Sequence, residues 1–256
     1  GMLRKEGSVM SKSRGNVIDP LTIVNKYSAD ALRLFLISIA SPDKDFIWNS
    51  NGFEGSWKFT NRVFAFFSNI KLKSSSKKIE HKLNKLIKEA TICIENFQYN
   101  LTIIKLRQFF EVIEEEREIS RKDLESFLKV FSVFCPHLAE ELWEKIGNKG
   151  FISLENWPVC DEKKIDPLLD KQEEIMDKTI GDILNILKIV KEKQGKEAEK
   201  VYLYVIPKEK ENYEEEILKK KLNKEIKVFA VNDKSKYDPE NKSKKASPGR
   251  PGVYVE

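Results

Sequence analysis

Near the start of the chain, Ser8-Val9-Met10-Ser11-Lys12-Ser13-Arg14-Gly15-Asn16 sets two hydroxyls around one lysine, with Gly7 and Gly15 freeing the backbone at either end. Lysine is a compact, mobile cation that suits an anion that comes and goes. A loop of this composition can close over a bound anion, although Ser/Lys/Gly stretches near a terminus are more often solvated linkers. A second basic stretch lies at the other end. From Lys234 to Arg250 six basic residues stand against two acidic ones, a net +4 in a short polar segment. Such a loop attracts phosphates, but solvated lysine-rich loops are as common as nucleic-acid contacts. Metal chemistry has little to work with. Cys93, Cys135 and Cys160 form no CxxC pair and have only His81 and His137 beside them, so we expect reduced thiols and no protein-bound metal.

At 256 residues the chain can hold two domains. With 40% hydrophobic and 34% charged residues it reads as a globular protein with a heavily charged surface. It carries no apolar run of membrane-spanning length and no signal-peptide pattern, so a cytoplasmic location is the default expectation. The net charge of +5 excludes little, because many lysines share helical segments with glutamates and only solvate a face.

Hydrophobic periodicity places the loop ahead of a mainly α chain. Asp19-Pro20 starts a short helix to about Tyr27, and Ser28 caps a second with Leu32, Phe35, Leu36 and Ile39 along one side. From Asn49 a long helix buries Phe53, Trp57, Thr60, Phe64, Phe67 and Ile70 and ends at Ser74-Ser75-Ser76. Two more follow, turning near Tyr99-Asn100, and Ser120 caps a fourth that Pro136 interrupts before Trp143. Short connections favour an antiparallel bundle, and phenylalanines at this spacing read as core rather than base-stacking platforms. The domain expectation is a loop and helical connector over 1–48, a bundle over 49–150, a linker over 151–168 and a small α+β domain over 169–256. Within this small domain a helix precedes a strand at Val201–Ile206, a helix from about Glu209 to Leu222, a strand at Ile226–Val231 and a third after Gly252.

This order of segments resembles the C-terminal portion of a class I aminoacyl-tRNA synthetase. "VMSKSRGNVIDP" is similar to the family's KMSKS signature and its continuation, and "YSADALRLFLIS" to the helix after it. Met10, Ser11, Lys12 and Ser13 match the signature, whereas Val9 replaces its first lysine. Either Lys5 or Arg4 supplies that cation or the contact is absent. The valine and isoleucine siblings share these features. The leucine enzymes are favoured by "SPDKDFIWNSNGFEGSWKFTNRV", with Glu54, Gly55, Phe59, Asn61 and Arg62, by "PHLAEELWEKIG" and by "SLENWPVCDE". The ending "KSKKASPGRPGVYVE" resembles the archaeal-type leucyl-tRNA synthetase terminus. The likeness is closest over residues 8–62 and 130–162 and faintest over 195–235.

What the resemblance implies is an ATP-dependent ligase. Lys12 would neutralise the leaving pyrophosphate, while Met10, Ser11, Ser13, Gly15 and Asn16 hold or order the loop around ATP, with Mg²⁺ arriving on the nucleotide. The bundle and last domain would bind tRNA(Leu), with Arg62, Lys105, Arg107, Lys244, Lys245 and Arg250 as candidates for phosphates. Tyr254, Val255 and Glu256 would set backbone groups and a carboxylate against its variable arm. Arg62 also reads as a brace between connector and bundle, and His137 as a packed or capping residue rather than a catalyst. The nucleotide-binding sheet and the editing domain of such enzymes do not fit in this length. The chain is therefore expected to be inactive alone, as the small subunit of a split enzyme starting at Met2 or as a piece of a longer one. A tRNA-binding module without catalysis and a valine or isoleucine enzyme are the alternatives.

Overall fold

In the computed structural model, which describes residues 1–195 and 197–256, Glu6 and Gly7 both take positive φ (50° and 79°). That geometry makes a two-residue hairpin turn. Leu3–Lys5 (β1) therefore folds back antiparallel on Ser8–Val9 (β2), while Phe46–Ile47 (β3) joins β1 in parallel, giving the order β2-β1-β3. This small sheet, which the sequence pattern does not reveal, fixes the root of the Ser-Lys-Ser loop.

Between the sheet's second and third strands run two helices with conventional starts. Asp19 accepts the N–H groups of Leu21 and Thr22 to begin Pro20–Lys26 (α1), and Ser28 caps Ala29–Ile39 (α2). Tyr27, Phe35, Trp48, Phe53 and Trp57 pack with ring centroids 4.8–5.8 Å apart, clamping α1, α2 and β3 to Ser50–Ser68 (α3).

Lys77–Glu95 (α4), Tyr99–Glu116 (α5), Arg121–Ser132 (α6) and Pro136–Lys145 (α7) complete the bundle. The turn from α4 to α5 spans only residues 96–98, so these two helices lie side by side as a hairpin. Phe59, Phe67, Phe109, Phe110, Phe127, Phe131 and Phe134 are all buried in one core, each worth roughly 1.5–3 kcal/mol over leaving it exposed.

One compact unit runs from Gly1 to Ile165. The boundaries expected after 48 and 150 both lie inside it, because Leu34 of α2 and Ile152 share the bundle's core. The passage expected as a linker is pinned down as far as residue 165. Glu140 accepts the Ile152 and Ser153 N–H groups, Trp157 Nε1 donates to Thr91 at 2.8 Å, the Asp161 N–H donates to Asn84, and Lys164 pairs with Glu80 at 2.6 Å.

The second unit, Asp166–Glu256, is a small α+β domain. Pro167–Gln194 (α8) leads to Lys200–Val205 (β4). The single helix expected over Glu209–Leu222 is instead a 3-10 turn, Pro207–Asn212, followed by Glu215–Leu222 (α9). The break arises because Tyr213 turns into the core, where it is 3% exposed. Glu225–Ala230 (β5) pairs parallel with β4, and Gly252–Val255 (β6) pairs antiparallel on its other side. Val201, Leu203, Ile226 and Val228 face the helices with Ile183, Leu218 and Leu222.

Candidate nucleotide and nucleic-acid sites

The Ser-Lys-Ser loop is a braced turn. Lys12–Arg14 forms one 3-10 turn closed by Gly15 at φ 66°, where a left-handed residue is needed to return the chain. Asn16 holds both ends of the turn, its Oδ1 accepting the Ser11 N–H at 2.9 Å and its Nδ2 donating to the Val9 carbonyl at 3.3 Å. The Ser11 and Ser13 hydroxyls bond each other at 2.9 Å, so that pair can hold or release an acceptor without unfolding the loop. Met10 is half-buried, its N–H donating to Leu3, and anchors the turn to the hairpin. Lys12 is exposed, and its ammonium has no ion pair or hydrogen bond among the described residues.

Val9 stands in the strand, opposite Arg4. Arg4 is committed elsewhere, making a two-pronged contact with Asp45 at 2.8 and 3.0 Å. The Met2 N–H and then the Arg4 guanidinium hold the Asp45 carboxyl below the usual range. Of the two cations considered for the missing signature lysine, Lys5 alone is not engaged in this way.

The bundle residues singled out for phosphates are mostly spoken for. Arg62 Nε lies 3.1 Å from Glu114 and its guanidinium sits over Phe110, while Lys105 pairs with Glu89 at 2.5 Å. Arg107 stacks on Phe59 at 4.4 Å, donates to Ser56, and has its pKa lowered by burial and by the nearby charge of Arg62. His137 is 75% exposed rather than packed. Its Nδ1 lies 2.9 Å from buried Asp30, whose other oxygen accepts the Leu138 N–H, and this joins the first turn of α2 to the first turn of α7.

The tail differs. Asp238 accepts the N–H groups of Lys242 and Ser243 and so shapes a 3-10 turn, Lys242–Lys245, that presents Lys244 and Lys245 to solvent. Lys244, Lys245 and Arg250 are exposed and show no ion pair among the described residues, whereas Lys242 pairs with Glu240 at 3.0 Å. A cavity of about 550 Å³ opens between α8 and this segment, lined by Lys242, Lys245 and Arg250 with Asp182 and Asn185. Val255 turns its side chain toward the core. Glu256 is tied to β4 by backbone bonds with Lys200 and accepts the Tyr202 hydroxyl at 2.9 Å. Tyr202, Lys227 and Tyr237, which sequence reasoning alone does not single out, join Tyr254 on the sheet face away from the helices. The signal was present in Val201–Val205, where strand alternation puts Tyr202 and Tyr204 on one side. Among the described residues no group of three His, Cys, Asp or Glu side chains is placed to hold a metal ion, and no helix is long and apolar enough to cross a membrane.

Residues 76–203, half of the chain, match the family described as anticodon-binding domain of tRNA ligase, and residues 2–49 match tRNA synthetases class I (I, L, M and V). The leucine–tRNA ligase of Mycoplasma mycoides subsp. mycoides SC is 35% identical over 167 residues, covering 64% of this chain and 21% of that protein. The leucine–tRNA ligase of Thermotoga maritima is 34% identical over 190 residues, covering 65% and 23%. The chain thus spans between a fifth and a quarter of the length of these relatives. Among solved structures, the Agrobacterium radiobacter K84 LeuRS-tRNA-LeuAMS ternary complex shares the fold with a TM-score of 0.56 at 23% identity, over 65% of this chain and 24% of that one.

Proposed function

Because this chain belongs to the class I tRNA ligases and carries their anticodon-binding domain, we propose that it is the loop-closing and tRNA-holding portion of a leucine–tRNA ligase of the cytoplasm. In this reading it acts with a catalytic and editing half that binds leucine and ATP. Amino-acid activation moves negative charge from the α-phosphate onto departing pyrophosphate as the leucine carboxylate attacks. A cation that meets that charge as it develops lowers the barrier more than it tightens ATP binding. Lys12 suits this role, being exposed, unpartnered among the described residues, and mounted on a turn that Asn16 and Gly15 hold in shape. This carries the reading. Ser11, Ser13 and the N–H groups around Gly15 and Asn16 can donate to phosphate oxygens, and Mg²⁺ accompanies the nucleotide. The bundle and the small domain hold tRNA(Leu), chiefly through the tail cations.

The test mixes the chain with the missing half and follows leucine-dependent pyrophosphate exchange. Lys12→Ala lowers the rate by about two orders of magnitude or more, an effect of at least roughly 2.7 kcal/mol on the transition state, with unchanged circular dichroism. Exchange close to wild type overturns the role of Lys12. Exchange that answers to valine or isoleucine instead of leucine reassigns the substrate. A mixture that binds tRNA and never activates an amino acid makes the chain a binding module.

A further inference from the structure

Among the described residues the sheet of the second unit has its α-helices on one face, and the other face is aromatic. The strand register sets Lys227, Tyr202 and Tyr254 in one row across β5, β4 and β6, with Phe229 and Tyr204 in the next. Tyr237, from the basic loop after β5, lies against this row, 5.1 Å from Tyr202 and 6.1 Å from Tyr254, ring centre to ring centre. Tyr204 is fully buried and its hydroxyl donates to the Tyr237 carbonyl, so the loop's backbone is fastened over the sheet. Tyr237 itself remains 48% exposed, and Tyr202 and Tyr254 are half-buried.

Rings that only sealed the sheet would be closed off by apolar neighbours. Here they are edged by charge: Lys227 lies in their own row, the segment that delivers Tyr237 carries a net +4, and the Glu256 carboxylate accepts the Tyr202 hydroxyl. Burial, with the carboxylate of Glu256, pushes the Tyr202 phenol up to about 12, and burial also raises Tyr254. Flat neutral rings beside mobile cations are what an unstacked base with its phosphate requires.

We propose that this face binds an unpaired nucleotide of RNA, the base packing against Tyr237 and Tyr254 while Lys227 meets its phosphate. The inference rests on the tRNA-holding reading and names where, and on which region of an RNA, the second unit acts.

The full chain is titrated by fluorescence anisotropy with a short labelled oligouridylate and, separately, with a blunt RNA duplex. Tyr237→Ala weakens oligouridylate binding about tenfold and leaves duplex binding unchanged, as loss of one stacked base predicts. Tyr237→Phe keeps wild-type affinity, because the ring and not the hydroxyl makes the contact. Tyr237→Ala removes an exposed side chain and leaves the backbone bond to Tyr204, so the fold is retained, and Tyr254→Leu provides a second variant that keeps an apolar side chain on β6. Equal affinity of wild type and both variants for oligouridylate overturns the proposal. So does a parallel loss on the duplex, or a self-association of the chain that Tyr237→Ala abolishes, which assigns the face to a second copy. A chain that binds oligouridylate through Tyr237 yet supports no leucine activation sinks the synthetase reading and keeps this one. Activation with oligouridylate binding insensitive to Tyr237 does the reverse.

Discussion

The chemistry of the loop depends on single side chains that position others. The resemblance implies that Asn16 holds or orders the loop around ATP, and its carboxamide is used within the loop, bonding Ser11 and Val9 and so shaping the turn that carries Lys12. Asp45 does the same one layer below. It accepts from the Met2 N–H at 2.7 Å and from Arg4, joining the segment before β3 to β1 beneath the hairpin. Its folded-state pKa is depressed, so its stabilising effect is fully present above the unfolded carboxylate value of about 4 and disappears as pH falls through the lower folded value. The Phe46 and Trp48 N–H groups, which bond to Met2 and Arg4, report on it. Their hydrogen-exchange protection, corrected for the intrinsic rate, should stay level from neutral pH to about 5 and decline only below about 4. In Asp45→Asn that acid-dependent decline should disappear. Protection in the wild type that falls already near pH 6 assigns the linkage to a different group.

At the level of elements, the start of α6 is bolted to the segment before α4. Ser120 and Ser75 hydroxyls both donate to Asp123 Oδ2, at 2.7 and 2.5 Å, while the Ser120 N–H donates to Ser75 and the Asp123 N–H to the Ser120 hydroxyl. Asp123 is 7% exposed, so its removal leaves the half-buried hydroxyls of Ser75 and Ser120 without an acceptor. Asp123→Ala should lower the unfolding free energy by about 2–3 kcal/mol, and Ser75→Ala by about 1 kcal/mol, read as shifts of the urea midpoint at constant slope. Ser120 is legible as a cap from its place before an apolar stripe, but Ser75 reads only as one residue of a break, since its partner lies 48 residues away. The same limit hides the first sheet. Strands of two and three residues carry no period, and β1 meets β3 across more than forty residues. The long helices are legible because Leu, Ile and Phe recur over several turns. The break before α9 is not, because a run of Glu and Lys shows no phase and only the burial of Tyr213 reveals it. The signature residues Met10 to Ser13 stand out by resemblance. Whether a candidate cation is free or already paired requires coordinates.

For the molecule as a whole, charge decides where a polyanion is held. The net charge of +5 is small, but the committed and free cations are unevenly distributed. Arg62 and Lys105 in the first unit have carboxylate partners, and an RNA phosphate that takes either must first displace Glu114 or Glu89. Such an exchange releases few counterions. Lys244, Lys245 and Arg250 in the second unit have no carboxylate to displace among the described residues, so each phosphate they neutralise appears in the salt dependence. Replacing these three together by alanine should weaken tRNA binding and reduce the slope of log K against log salt by about two to three, at roughly 0.7–0.9 for each phosphate no longer neutralised. Arg62→Ala and Lys105→Ala together should change that slope by less than about one, even if affinity falls through altered packing. The measurement is a filter-binding or anisotropy titration at several salt concentrations with one tRNA(Leu) transcript. A slope unchanged by the triple replacement but reduced by the pair would move the RNA from the tail to the bundle, and Glu114 and Glu89 would then have to give up their partners when the tRNA arrives.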